Sequence, residues 1–408
     1  MATIEKPAFA PDHVPAELAW DDSLQRFNNE LDDPFMAASR LLDGPPLFYA
    51  RDAVQGRPGW VIARHALLKE AFIDWEHFSS EGGMDLTMML GVDWNLNPVN
   101  IDPPMHTTYR KVLTPFFTPK AVSHMEDGVR RTVEDLIAPF ENEGGCDFVK
   151  DFAIPFPSLI FLRLMGMPED MMGQFFTWEQ NLLRGESMEA RIQTGRDILD
   201  YLKYHLEQQK KQPATPLMEN IINARILDGR PLNDGEILGM FYTFYVGGLD
   251  TVYATISWSM RHIATHPEFQ QFLRDNPDKM DKAVMEMLRL FSVVSSQRRV
   301  TQDFEWHGVQ MKENDLVVMP IFIACRDPEA YPNPNEFDLG RAEQPLAFAS
   351  GPHLCLGMHL ARREIKIAIE TFLAKFDNIH IPEGARYEYH AGPTFNVDSL
   401  PIAWTKKA

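Results

Sequence analysis

Ten residues near the C-terminal end, Phe348-Ala-Ser-Gly-Pro-His-Leu-Cys-Leu-Gly357, carry the densest chemistry in the chain. A cysteine in a loop that enters a helix has its thiolate favoured by backbone N–H groups and by the helix macrodipole. Glycines at 351 and 357 let the backbone approach something flat and bulky, and main-chain donors there can bond and tune the sulfur. The plainer reading of a lone Cys355 is a buried structural thiol. A second motif, Tyr245-Val-Gly-Gly-Leu-Asp-Thr251, puts two glycines inside a helical pattern. Each costs roughly 1 kcal/mol relative to alanine, so a close packing partner or a ligand should compensate. Asp250 and Thr251 follow at once, a carboxylate beside a hydroxyl that could deliver protons. A tight helix crossing with the threonine bonded back to the i−4 carbonyl suits the same residues. The third motif, Glu286-Met-Leu-Arg289, places acid and base on one helical face, which alone is no more than an ordinary i,i+3 pair.

The elements that hold these motifs are legible in apolar periodicity. Asn233-Asp-Gly-Glu236 has the capping-box form, and the helical pattern behind it continues to about Ala264. That spacing predicts one helix of some 30 residues, roughly 45 Å long. Residues 105–290 read as overwhelmingly helical, ending in a helix over 279–291, and a last helix runs from about Met358 to Lys375. Strand signals are short: two around a Gln-Gly turn within 46–64, followed by a helix over 65–74, then 298–301, 304–306, 316–319, 387–390 and 402–404. The fold class is mainly α with a minor β part, without the βα alternation of a Rossmann fold. No repeat or Gly/Ser linker divides the sequence, so a single domain over 1–408 is expected, with an irregular N-terminal arm over about 1–35.

Composition narrows the class further. Cys146, Cys325 and Cys355 are odd in number and lack a CxxC pair, which disfavours a disulfide scaffold or zinc ribbon and points to a reducing, cytoplasmic setting. The formal charge of −19 argues against a nucleic-acid or anionic-membrane binder. No uninterrupted run of about 18 apolar residues offers a membrane span.

Together the three motifs resemble the cytochrome P450 family of haem-thiolate monooxygenases, whose signature is Phe-x-x-Gly-x-His/Arg-x-Cys-x-Gly. Phe348, Gly351, His353, Cys355 and Gly357 match all of its positions. The family also carries Gly-Gly-x-Asp-Thr in a long central helix and Glu-x-x-Arg in the next helix but one. The likeness runs over nearly the whole chain to the soluble bacterial camphor-hydroxylase branch, through His77-Phe-Ser-Ser-Glu81, Asp102-Pro-Pro104 and Pro155-Phe-Pro157. It implies haem b as cofactor, a long central helix with the haem between it and the cysteine loop, Cys355 as the proximal ligand of the iron, and Phe348 packed beside the haem. It implies that Asp250 and Thr251 relay protons on the distal side during O2 activation, and that Glu286, Arg289 and Arg341 form a buried structural network. His106, Arg110, Arg298 and His353 match positions that hold the two propionates, which need cations in a buried site. Either histidine could instead be a satisfied core residue.

The chain has no Gly-x-Gly-x-x-Gly fingerprint and no ferredoxin-like cysteine cluster, so electrons must come from a separate protein. The resemblance implies a [2Fe-2S] ferredoxin reduced by an NAD(P)H-dependent flavoprotein. Such ferredoxins are acidic, so Arg110, Lys111, Arg362, Arg363 and Lys366 are expected to gather as a basic island, unless each is simply a solvated charge. By the same likeness, pocket positions fall in 84–97, at Thr243, Val246 and Gly247, in 293–296 around Val294, and in 393–395 with Phe395. They are mostly apolar, and Met88, Met89 and Trp94 add adaptable or flat surface, which favours a small hydrophobic, terpenoid or norisoprenoid-like substrate. Trp94 stands near where camphor hydroxylases carry a tyrosine, and Ser296 replaces an acid of that branch, so camphor itself is disfavoured. Trp94 could equally be a loop anchor. The expected reaction is insertion of one oxygen atom from O2 into an unactivated C–H bond, by a monomer. A peroxide-driven hydroxylase and a haem-based sensor or carrier are the alternatives, with a zinc site of His353, Cys355 and His359 as an outsider.

Overall fold

A computed structural model describes residues 6–27, 33–82, 86–227 and 229–406. Met84, Asp85 and the side chains of Leu86 and Met88, at the start of the expected pocket segment, lie outside the described residues, as do residues 1–5 and 28–32 of the arm. The chain divides into two compact units: the first comprises Met1–Gly83, Ser257–Cys355 and His380–Pro401, the second Met84–Ile256, Leu356–Ile379 and Ile402–Ala408.

The first unit is built on a six-stranded sheet in the order Ala19–Ser23, Leu47–Val54, Arg57–Ile62, Leu316–Pro320, Ser295–Val300, Phe78–Ser79. The hairpin expected within 46–64 is present, and Gln55 (φ 51°) and Gly56 (φ 79°) supply the two left-handed residues that a tight hairpin needs. Part of the arm expected to be irregular is a strand: Ala19 and Trp20 pair in parallel with Tyr49 and Ala50. The open edge of the hairpin offers unpaired backbone groups that a neighbouring segment can satisfy, a tertiary effect that the sequence Ala-Trp-Asp-Asp-Ser does not advertise. One face of the sheet packs Trp60, Ile62, Val317 and Met319 with Leu68 and Phe72 of the helix His65–Ile73.

The second unit is helical, with a three-stranded sheet of Phe376–His380, Pro401–Lys406 and Gly145–Asp147. Its core gathers Phe161, Leu162, Phe175, Ile198, Leu202, Met240, Phe241, Tyr242 and Tyr245. The capping box forms as read: Asn233 Oδ1 accepts from the Glu236 N–H at 2.9 Å, and Glu236 Oε2 accepts from the Asn233 N–H at 2.7 Å. The helix behind it is not continuous. It runs Asp234–Gly248, breaks at Leu249 (φ −98°, ψ −66°) and resumes as Asp250–Thr265, so the expected 30-residue element is two helices in sequence. The break falls just after the glycine pair, where backbone restraint is weakest. The final helix, Met358–Lys375, has its expected bounds. Among the described residues no helix is long and apolar enough to cross a membrane.

Candidate active site

Local packing in the first unit fixes the cysteine loop. Cys355 donates its N–H to Phe348 O at 2.9 Å, closing the loop into a short circuit. Gly351 has φ +67°, and a Cβ there would lie 2.6 Å from the carbonyl oxygen of Phe72, so only glycine lets the loop seat on the end of the helix His65–Ile73. Ala349 also has positive φ (60°), an uncommon conformation for a residue with a Cβ. His353 is tied to Ser80, Nε2 to Oγ at 3.0 Å. Within this frame Cys355 is exposed, whereas Cys325 is fully buried and burial pushes its thiol up. Arg298 is 8% exposed, donates from Nη1 to Gln297 O at 2.7 Å and sets its guanidinium 5.6 Å from the centre of the Phe72 ring. Phe72 is the residue that sequence reading missed: its carbonyl props Gly351 and its ring underlies Arg298. The only signal was its place on the apolar face of that helix.

The Glu-x-x-Arg motif is a buried network rather than a surface pair. Arg289, 1% exposed, forks onto Glu286 at 2.7 and 2.8 Å and donates to the carbonyls of Cys325, Pro334 and Glu336. Arg341 reaches the same carboxylate at 2.9 Å and three further carbonyls. Of the pocket positions in this unit, Val294 bridges Thr394, with Phe395 N–H donating to Val293 O at 2.8 Å. The Phe395 ring is 1% exposed and stacks on Phe322 (5.3 Å) and edge-on to Phe35 (5.0 Å), which makes its side chain part of the core.

In the second unit the helix Met105–Leu113 carries buried His106 and, one turn on, Arg110. It is pinned to the start of the helix Asp234–Gly248 by Tyr109, whose hydroxyl donates to Glu236 Oε1 at 2.7 Å. The fork of Arg230 (2.7 and 2.9 Å), with the Asn233 N–H and Tyr109, holds the Glu236 carboxyl down to about 2. Further along, no heavy atom lies within 4 Å of a Cβ built on Gly247 or Gly248 among the described residues, so the pair does not serve a tight helix crossing. Thr251 does bond back, Oγ1 to Gly247 O at 3.1 Å, and Thr255 Oγ1 donates to Thr251 O at 2.8 Å. Asp250 is 2% exposed. Val246 is partly buried against the core.

Trp94 packs at the start of this same helix. A Cβ on Gly235 would lie 2.9 Å from its Cδ1, and it lines a cavity of about 500 Å³ with Asp93, Asn97, Tyr109 and Glu236. Gly235 precedes Thr243 by eight residues, roughly 12 Å of helix. The expected basic island is partly neutralised, since Arg363 pairs with Glu126 at 3.0 Å and Lys366 with Glu370 at 3.9 Å. No group of three His, Cys, Asp or Glu side chains among the described residues could hold a metal ion by itself, which leaves the zinc reading without a ligand set.

A family model for cytochrome P450 matches residues 51–393 of this chain. The chain belongs to the cytochrome P450 family. It is 35% identical over 402 residues to the probable cytochrome P450 127A1 of Sinorhizobium fredii, covering 97% of this chain and 96% of that protein. Among solved structures it superposes on cytochrome P450 CYP101C1 with a TM-score of 0.86 at 28% identity, covering 97% of this chain and 100% of that one. The structure of CYP101J2 gives the same TM-score, 0.86, at 27% identity and with coverage of 97% and 100%. As a member of this family the chain is a haem b monooxygenase, an oxidoreductase that takes O2, a substrate and electrons from a redox partner.

The residues present fit that cofactor. The first unit offers an exposed cysteine held by its backbone and, separately, a buried guanidinium over Phe72.

Proposed function

We propose that this P450 hydroxylates a small, mainly apolar molecule of terpenoid or norisoprenoid kind, with electrons from a [2Fe-2S] ferredoxin that an NAD(P)H-dependent flavoprotein reduces. In this reading the whole chain serves one activity in the cytoplasm. Cys355 would hold the haem iron, and Arg298, Arg110, His106 and His353 would hold the propionates. When bound, the haem supplies the oxidising power, and a thiolate ligand pushes electron density that favours O–O cleavage. The chain's own residues bind, orient and move protons. Phe348 O and Gly351 aim the Cys355 sulfur by fixing its backbone. Thr251 gives its hydrogen to Gly247 O, which turns the oxygen lone pairs away from that carbonyl, ready to accept a proton. Asp250, adjacent in sequence and buried, would take part in that relay.

The observation that carries this reading is the glycine pair with open space above it beside Thr251: a helix bears such a cost when a ligand occupies the face. Arg110, Lys111 and Arg362 support an acidic electron donor on a chain whose net charge is −19. The test starts with the reduced, CO-bound protein, which should show the red-shifted thiolate Soret band, and Cys355→Ala should abolish it. Reconstitution with a ferredoxin and its reductase should then couple NAD(P)H consumption to an oxygenated terpenoid. Product from peroxide alone, with none from NAD(P)H, would replace this reading by a peroxide-driven one.

A further inference from the structure

We infer that an aromatic chain through the second unit, Tyr245, Phe175, Trp178, Tyr201 and Tyr204, carries electrons inward to the cofactor when no substrate is there to be oxidised, a protective activity beyond hydroxylation. The inference rests on the haem-thiolate reading above.

Tyrosine and tryptophan are the aromatic side chains that give up an electron most readily, and contact between rings lets the vacancy pass from one to the next. Tyr245 stands two residues before Gly247 on the helix Asp234–Gly248, roughly 3 Å of rise. Its ring meets Phe175 at 5.5 Å, and Phe175 meets Trp178 at 5.4 Å and Tyr201 at 5.3 Å. Trp178 meets Tyr201 at 5.8 Å, and Tyr201 meets Tyr204 at 6.4 Å. Centroid separations of this size are ring contacts. Exposure rises along the chain, from 1% at Tyr245 through partly buried Trp178 and Tyr201 to 63% at Tyr204. Core packing does not require that last ring, which buries little. Charge favours the same route: Glu179 acts on Tyr245 and Asp170 on Tyr201, and acidic neighbours stabilise positive charge on a ring. The first unit holds a comparable cluster, in which Tyr389 meets Trp258 at 5.5 Å and Tyr387 at 5.7 Å. There Arg261 sets its guanidinium 5.9 Å from Trp258 and 4.7 Å from Tyr387, which opposes positive charge on both.

The family reaction supplies the oxidant, since O2 and two electrons leave two oxidising equivalents at the cofactor. Without a C–H bond to take the oxygen atom, those equivalents would be spent on the protein itself. Along the chain one electron moves inward from Tyr204 through Tyr201, Trp178 and Tyr245, with Phe175 as a bridging ring. Tyr204 loses its phenolic proton to water and is left as a neutral phenoxyl radical. The vacancy rests there because burial pushes the Tyr201 and Tyr245 phenols up, and the Tyr245 hydroxyl is held by a carbonyl, Phe175 O at 2.9 Å, that cannot take its proton. A thiol in solution returns a hydrogen atom to Tyr204 and becomes a thiyl radical. Two passages consume two thiols, which end as one disulfide, and the oxygen atom leaves as water with two protons.

The test uses the haem-loaded, substrate-free protein, a stoichiometric amount of meta-chloroperbenzoic acid and a nitrone spin trap, with adducts located by peptide mass spectrometry. The adduct should lie on Tyr204. Tyr201→Phe keeps the ring through which Tyr204 is reached but removes its oxidisable hydroxyl, so the Tyr204 adduct should be lost and labelling should move inward to Trp178. Glutathione should slow the bleaching of the haem Soret band in the unaltered protein and give no such protection in Tyr201→Phe. Tyr204→Phe, at an exposed site that the core does not need, should lose the glutathione effect as well. Equal labelling of Tyr204 in the unaltered protein, in Tyr201→Phe and in the haem-free chain would mean direct attack from solution and overturn the inference. Glutathione protection that survives both substitutions would overturn it too. Failure of the underlying reading is distinguishable: a missing thiolate band rejects the haem site, whereas an intact band without Tyr204 labelling rejects only the electron chain.

Discussion

Two buried glutamates, Glu286 in the first unit and Glu364 in the second, are accommodated in different ways. In the first, Glu286 sits between two arginines whose remaining donors go to backbone carbonyls, and His353 and Cys355 are each held by a hydrogen bond within the unit. The second pairs Glu236 in the same manner but treats another buried carboxyl differently. Glu364, 3% exposed on the helix Met358–Lys375, has no cation among the described residues to offset its burial, which pushes its carboxyl up to about 8. Thr243 buries a hydroxyl without a partner among those residues, and the glycine pair leaves a helix face unfilled. A matched network rigidifies the element it surrounds, whereas unmatched groups cost stability until something else satisfies them. Glu286 is thus held in one geometry by its arginines, whereas burial without a cation leaves Glu364 dependent on its own protonation.

The contrast can be broken by substitution, and the largest effect is expected at Glu364. Its folded value of about 8 lies above the ordinary 4.5, so the folded state binds the extra proton between those values. Stability therefore falls as pH rises through that window, by up to about 5 kcal/mol. Glu364→Gln should remove the decline, and melting temperatures of the two proteins should diverge progressively from pH 5 to pH 9. Parallel curves would mean that the carboxyl finds a partner. Next comes Gly351→Ala, which forces a side chain into positive φ and against Phe72 O, a loss of roughly 2–4 kcal/mol. Urea midpoints and the fraction of protein that retains haem should both drop. The smallest effect separates the units most directly. Gly247→Ala meets no neighbour among the described residues, so the haem-free protein should gain roughly 1 kcal/mol, while ligand binding weakens because the new methyl occupies the open face.

Local chemistry in the sequence made much of this legible. Turn residues at Gln55-Gly56, the capping box at Asn233 and Glu236, and the bounds of the last helix each depend on neighbours within a few positions, and each forms where it was read. The signature loop was equally local, since a close backbone approach requires glycine whatever lies opposite. The role of Phe72 was not legible, because Arg298 and Gly351, which it supports, are remote in the chain. Nor was the strand Ala19–Ser23, whose pairing depends on an edge formed elsewhere. Trp94 illustrates the limit most clearly: its type suited a pocket, but its seat on Gly235 was set by the path of a loop. The sequence by itself determined the residue types, their spacing and hence the family chemistry. Only the tertiary structure decided which polar groups were left unmatched, because satisfaction of a buried donor or acceptor depends on what folding brings beside it.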